Sequence, residues 1–180
     1  MIPAGAHAAA AQRVFVALWP TSVVRDRLDE IAGQLARSAP HARRISAANF
    51  HLTLAFIGSL AENRIRELAD SIGRCAAEEF EWVVDHVGHF DRVRILWAGG
   101  AATAALLALA GRVFALLDSL AIDYDRKVFA PHVTLLRNVT RWPAGRTPIE
   151  PAILWRSSRA TLVLSEQTAT GVAYVPLTPP

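Results

Sequence analysis

Two tripeptides hold the residues best suited to acid–base chemistry. They are His51-Leu52-Thr53 and His132-Val133-Thr134, and a leucine follows each. Imidazole gives or takes a proton near neutral pH. A hydroxyl donates hydrogen bonds to anionic oxygens. In an extended strand, residues i and i+2 share one face, so each histidine lies about 7 Å from its threonine on the same side. If two such strands face one groove, they supply a proton donor, a proton acceptor and two hydroxyls, a complete set for phosphodiester cleavage. From this composition the tetrapeptide should arise by chance roughly 0.04 times per chain, so two copies indicate a shared role. The residues themselves leave open which histidine is the acid and which the base.

The flanking segments must position these strands. Arg13–Leu18 is β-rich, and Val24, Leu28, Ile31 and Leu35 then recur at helical spacing to about Arg37. Asn49–Ile57 reads as a strand ended by Gly58, and residues 61–79 have helical periodicity. Trp82–Phe90 and Val93–Trp97 read as strands around a turn at Asp91-Arg92. Residues 103–120 read as a helix, Phe129–Arg137 as a strand, and residues 138–151 as a proline-containing loop. Ile153–Arg156, Ala160–Ser165 and Val172–Leu177 read as closing strands. The histidines are 132 − 51 = 81 residues apart, and the same shift carries Arg13 to Arg94. Strand, helix and His-x-Thr-Leu strand thus occur twice in order. This predicts an α+β fold of two similar lobes, with antiparallel sheets lining a central groove.

The segments NFHLTLAFIG and FAPHVTLLR resemble the paired motifs of the two-histidine phosphoesterases, and of these the bacterial RNA 2′,3′-cyclic phosphodiesterase (2′-5′ RNA ligase) family most closely. RVFVALWP, GHFDRVRILWAGG and LVLSEQTATGVAYVPL extend the resemblance to nearly everything after residue 12. It implies His51 as general acid, His132 as general base, and Thr53, Thr134 and Arg137 on phosphate oxygens. It implies hydrolysis of a terminal 2′,3′-cyclic phosphate to a 2′-phosphate, with no cofactor and with 2′-5′ ligation as the reverse reaction. The implied partners are RNA ends or small nucleotides carrying the cyclic phosphate. Two other readings remain open: a related phosphoesterase acting on a small cyclic nucleotide or an ADP-ribose cyclic phosphate, and a non-catalytic RNA-binding module.

Two site residues pose problems of geometry. Arg137 is an odd number of steps from His132 and Thr134, so on a regular strand it points away from the groove unless a bulge intervenes. The 81-residue shift sets Phe56 opposite Arg137, where an aromatic ring either stacks a base or joins the core.

The remaining features bound the function. Net charge is +3, and Lys127 is the only lysine. With 52% hydrophobic and 19% charged residues, the chain can bury a core. Residues 1–12 read as a flexible tail and 13–180 as a single bilobal domain. No stretch reads as a membrane span, and the expected form is a monomer. The lone Cys75, at the end of a helical apolar series, reads as a structural thiol in a reducing cytoplasm. Asp85, His86 and His89 do not complete a metal-ligand set, because residues three apart on a strand face opposite sides. Tyr124–Lys127 reads as a charged turn before the second motif.

Overall fold

A computed structural model describes residues 11–143, 145–169 and 171–178. The alanine-rich segment before residue 11, expected to be a flexible tail, lies outside the described residues. In chain order the elements are β1 (Gln12–Leu18), α1 (Ser22–Ser38), β2 (Arg43–Arg44), β3 (Leu52–Leu60), α2 (Glu62–Gly73), β4 (Ala76–Phe90), β5 (Ile95–Gly99), α3 (Ala104–Ser119), β6 (His132–Arg137), β7 (Thr147–Arg159), β8 (Thr161–Thr168) and β9 (Gly171–Pro176). Among the described residues, no helix is long and apolar enough to cross a membrane.

All the strands join one antiparallel sheet in the order β7-β4-β5-β6-β3-β1-β8-β9, with β2 on β6. At its centre, β3 and β6 share a single residue pair, Leu52 with Val133. One four-stranded half-sheet extends to each side, and this is the expected pair of α+β lobes. Helix α1, shifted by 81 residues, overlays α3 to within one residue. Both helices start at a threonine cap: Thr21 accepts from the Val24 amide at 3.4 Å, and Thr103 from the Leu106 amide at 3.2 Å. Helix α1 buries Val24, Leu28 and Ile31, and α3 buries Leu106, Leu109, Val113 and Leu117. Each also packs beneath a strand of the other half: α1 lies against β6 and β7, and α3 against β3. The two halves therefore share one apolar core, which opposes their separation.

Several sequence expectations change. Residues 76–79 open the long strand β4 and do not extend α2, because pairing with β7 overrides their helical periodicity. Cys75 follows α2 and is partly buried against the core. Gly58 does not end β3. It takes a φ of +87° inside the strand, where Val14 pairs with Gly58 but Phe15 with Phe56, leaving Ile57 as a bulge. The strand expected from Phe129 begins only at His132. Conversely, β7 starts at Thr147 and includes Pro148 and Pro151, as an edge strand permits. The two-residue β2 had no alternating pattern from which to be read. Finally, the tandem offset is 80 rather than 81 on β1 and β5, since Ala17 opposes Thr53 and Trp97 opposes Thr134. Arg94 is thus not the counterpart of Arg13; it takes a left-handed φ of 54° before β5 begins.

Trp97 lies on the groove side of β5 and covers Gly88 of β4. A Cβ on Gly88 would stand 2.2 Å from the indole Cζ2. The same ring meets Phe90 at 5.0 Å and His132 at 6.2 Å between centroids. Replacing Gly88 with alanine therefore displaces a ring that flanks His132. The expected loss of stability is about 1–3 kcal/mol, measured by urea unfolding of G88A against the parent protein.

Candidate active site

The two His-x-Thr motifs meet where the half-sheets touch. Continuing the Leu52–Val133 register sets His51 beside Thr134 and Thr53 beside His132. All four line a cavity of about 330 Å³, together with Arg137, Asn49, Tyr174 and Arg43. The expected constellation is therefore brought together, including the residue whose parity opposed it.

A bulge resolves the parity of Arg137. Between β5 and β6, Leu96 pairs with Leu136 but Trp97 with Thr134, so Leu135 is an unpaired extra residue. It shifts the alternation by one step and turns Arg137 onto the face of His132 and Thr134. The matching bulge on β3 is Leu54, between the Ala17–Thr53 and Val16–Ala55 pairs. Leu54 and Leu135 differ by 81, so the bulge is part of the repeat. It shows in the burial pattern: Leu54-Ala55 and Leu135-Leu136 are both consecutive buried pairs, where a regular strand alternates. The β3 bulge likewise brings Phe56 to the groove side. Phe56 is 41% exposed and lines an adjoining cavity of about 280 Å³ that also reaches His51, Thr53 and Arg137; beside it is Arg13, whose guanidinium carbon lies 5.6 Å from the ring centroid.

The histidines are pinned alike. His51 Nδ1 lies 2.7 Å from the Asn49 carbonyl oxygen, and His132 Nδ1 lies 2.7 Å from that of Ala130. A carbonyl only accepts, so each Nδ1 carries the proton. This leaves Nε2 of each ring for the groove, a lone pair when neutral and a donor when charged. Asn49 also ties the motif to β9: its side-chain amide donates to the Val172 carbonyl at 2.8 Å and its oxygen accepts from the Tyr174 amide at 3.2 Å.

The rings around the two histidines differ. Phe15 and Tyr174 lie 4.7 and 5.0 Å from His51, with Trp19 stacked at 6.1 Å. His132 has Phe90 edge-on at 5.1 Å. Burial among these rings lowers the pKa of His51 to about 4. The Asn49 carbonyl opposes the shift, while the charges of His132 and Arg137 add to it. Burial lowers His132 as well, and Arg137 adds to that effect. Both rings are therefore neutral at pH 7 in the free protein.

Sequence reasoning did not single out Asn49, Tyr174, Trp19 or Arg43. Arg43 left a weak signal as part of an Arg-Arg pair, and the others none beyond lying in the flanking segments. The residues set aside as metal ligands stay apart from the site chemistry: His86 binds Asp85, and His89 approaches the Val139 carbonyl at 3.1 Å. Among the described residues no three His, Cys, Asp or Glu side chains converge as a ligand set. The turn at Tyr124–Lys127 is tied up in its own pairs, Arg126 with Asp118 at 2.6 Å and Lys127 with Asp125 at 2.7 Å.

Comparison with known proteins agrees with this geometry. The family model described as LigT like Phosphoesterase matches residues 18–97. The chain is 30% identical over 130 residues to the RNA 2′,3′-cyclic phosphodiesterase of Thermotoga maritima, covering 69% of each protein. It is 30% identical over 156 residues to the Geobacillus stearothermophilus protein of the same name, covering 84% of this chain and 48% of that relative. The chain thus spans about half the length of the Geobacillus protein. The crystal structure of Escherichia coli LigT in apo form superimposes with a TM-score of 0.80 at 25% identity, covering 94% of this chain and 96% of that one. LigT complexed with 3′-AMP gives a TM-score of 0.77 at 26% identity, covering 93% and 95%. The chain belongs to the LigT-like phosphoesterase family, within the two-histidine phosphoesterases.

An anion bound between the rings favours their charged forms. Histidine NMR should place the His51 titration near pH 4 in the free protein and move it upward when inorganic phosphate is added. A titration near pH 6.5 that phosphate leaves in place would show that the rings are not buried as described.

Proposed function

We propose that this protein is an RNA 2′,3′-cyclic phosphodiesterase that opens a terminal cyclic phosphate to a 2′-phosphate. The observation that carries the reading is the pair of His-x-Thr strands facing one cavity, each ring held through Nδ1 with Nε2 left for the substrate. Binding alone would need charge and stacking, but not two matched proton carriers.

In this mechanism the cyclic phosphate lies between the rings. His132 Nε2 takes a proton from water as the water oxygen bonds to phosphorus. The P–O3′ bond breaks on the opposite side, and His51 Nε2 gives its proton to the departing oxygen. Thr53, Thr134 and Arg137 donate to the non-bridging oxygens as charge accumulates there. The depressed histidine pKa values carry a consequence. The free protein seldom holds the acid's proton at pH 7, so the negative charge of the substrate must help retain it on His51. Phe56 stacks the terminal base and so sets which oxygen lies near His51. The enzyme requires no metal or other cofactor, acts as a cytoplasmic monomer, and catalyses 2′-5′ joining as the reverse reaction.

Replacing either His51 or His132 with alanine should reduce turnover by roughly 10²–10⁴-fold, because each change removes one proton carrier. Near-parental turnover in either variant would eliminate the two-histidine mechanism. In the parent protein, kcat/KM should fall as pH rises from 5 to 8. The reactive free enzyme carries one proton on the pair, and lowered pKa values confine that form to the acid side.

The assay itself is a short RNA ending in 2′,3′-cyclic phosphate, incubated with excess chelator. Phosphorus NMR should show a 2′-phosphate product formed at an undiminished rate. A 3′-phosphate product would reverse the acid and base roles, and activity that needs an added metal would refute the metal-independent mechanism.

A further inference from the structure

The groove has two exits from the histidines, and they differ in chemistry. One runs past Tyr174 to Arg13, Phe56 and Gln167. The other runs past Asn49 to Arg43 and Ala173, where it widens into a cavity of about 520 Å³. Arg43 lines both the central cavity and this second one, so it stands at the junction.

The short strand β2 separates its two arginines by alternation. Arg44 also borders the wider cavity, but its guanidinium is engaged by α1, where it meets the Asp29 carboxylate at 2.5 Å and the Asp29 carbonyl at 2.8 Å. Arg43 turns into the groove, is exposed, and forms no ion pair among the described residues. Directly across the β2–β6 ladder it faces Arg137. Like charges at opposed positions repel, and the arrangement is relieved only by anions. The scissile phosphate beside His51, His132 and the threonines supplies one, and a single negative charge offsets one guanidinium. A second phosphate one nucleotide away would offset the other.

The shape of ribose links the two exits. Its base leaves from C1′ and its 5′ chain from C4′, on opposite flanks of the 2′,3′ edge. With the cyclic phosphate at the histidines and the base toward Phe56, the 5′ chain heads for Arg43. We infer that Arg43 binds the phosphate on the 5′ side of the terminal ribose, so that the groove selects oligonucleotide ends over cyclic nucleotides lacking a 5′-phosphate. This inference rests on the cyclic phosphodiesterase reading above.

The test compares adenosine 2′,3′-cyclic phosphate with the same compound carrying a 5′-phosphate. The parent protein should favour the 5′-phosphorylated compound in kcat/KM by roughly tenfold or more, chiefly through KM, as a charge-assisted guanidinium–phosphate contact implies. In R43A that ratio should fall to about one. R43K should keep part of it, because lysine retains the charge but not the fork. A parental ratio near one, or an R43A ratio equal to the parental, would overturn the assignment. The second result, with an equal loss of kcat/KM on both compounds, would place Arg43 on the scissile phosphate instead. Failure of the parent protein to turn over either compound would count against the phosphodiesterase reading instead. Arg43 would then be judged by calorimetry, comparing adenosine 2′-phosphate with adenosine 2′,5′-bisphosphate: R43A should abolish the preference for the second, and an unchanged preference refutes the inference.

Discussion

The site depends on one backbone contact. Strands β3 and β6 touch through Leu52 and Val133 and then diverge. Longer pairing would close the sheet between the motifs, with each histidine against the opposite strand and no space for a ligand. Without any pairing, nothing would hold the two Nε2 atoms to a common target. A single pair joins the motifs and still leaves a cavity of about 330 Å³ above them. The shared core holds that contact in place, because α1 packs beneath β6 and α3 beneath β3. Burial of apolar surface by each helix therefore opposes any separation of the half-sheets.

The duplicated bulge is the second structural device. A strand of period two can present His and Thr to one face, but not a third residue at an odd step. Leu54 and Leu135 each absorb one residue, and so place Phe56 and Arg137 on the same face as the histidines at matched positions. The repeat thus supplies two matched imidazoles and two unlike flanking side chains from one backbone plan. On one side of the cavity lies an aromatic ring beside Arg13; on the other, a guanidinium beside Arg43.

Electrostatics acts on both rings in the same direction. Burial, with the charge of Arg137 nearby, disfavours a proton on either ring in the free protein. A negative charge placed between the rings would oppose that shift. The Asn49 and Ala130 carbonyls can accept from Nδ1 in either protonation state of the ring, so neither contact depends on the charge.

The two motifs, the repeat, the lobed α+β architecture and the candidate acid–base pair were legible in the amino-acid sequence, because residue type and local period are local properties. His51, Thr53, His132 and Thr134 share faces through strand geometry alone. Helices α1 and α3 show their apolar stripes and threonine caps directly. What pairing decides was not legible. Strand β4 took residues 76–79 from a helical pattern, and β7 absorbed two prolines because its outer edge needs no partner. Tyr174 reached the cavity from β9, Asn49 from the turn before β3 and Arg43 from the two-residue β2; that these three side chains share one cavity follows from how those segments pair, not from any local pattern. Arg137 is the clearest case. Its identity and its nearness to the motif are written in the chain, but its side of the sheet depends on Leu135 standing unpaired against β5. A bulge is a property of two strands in register, so only the tertiary structure could turn that arginine toward the histidines.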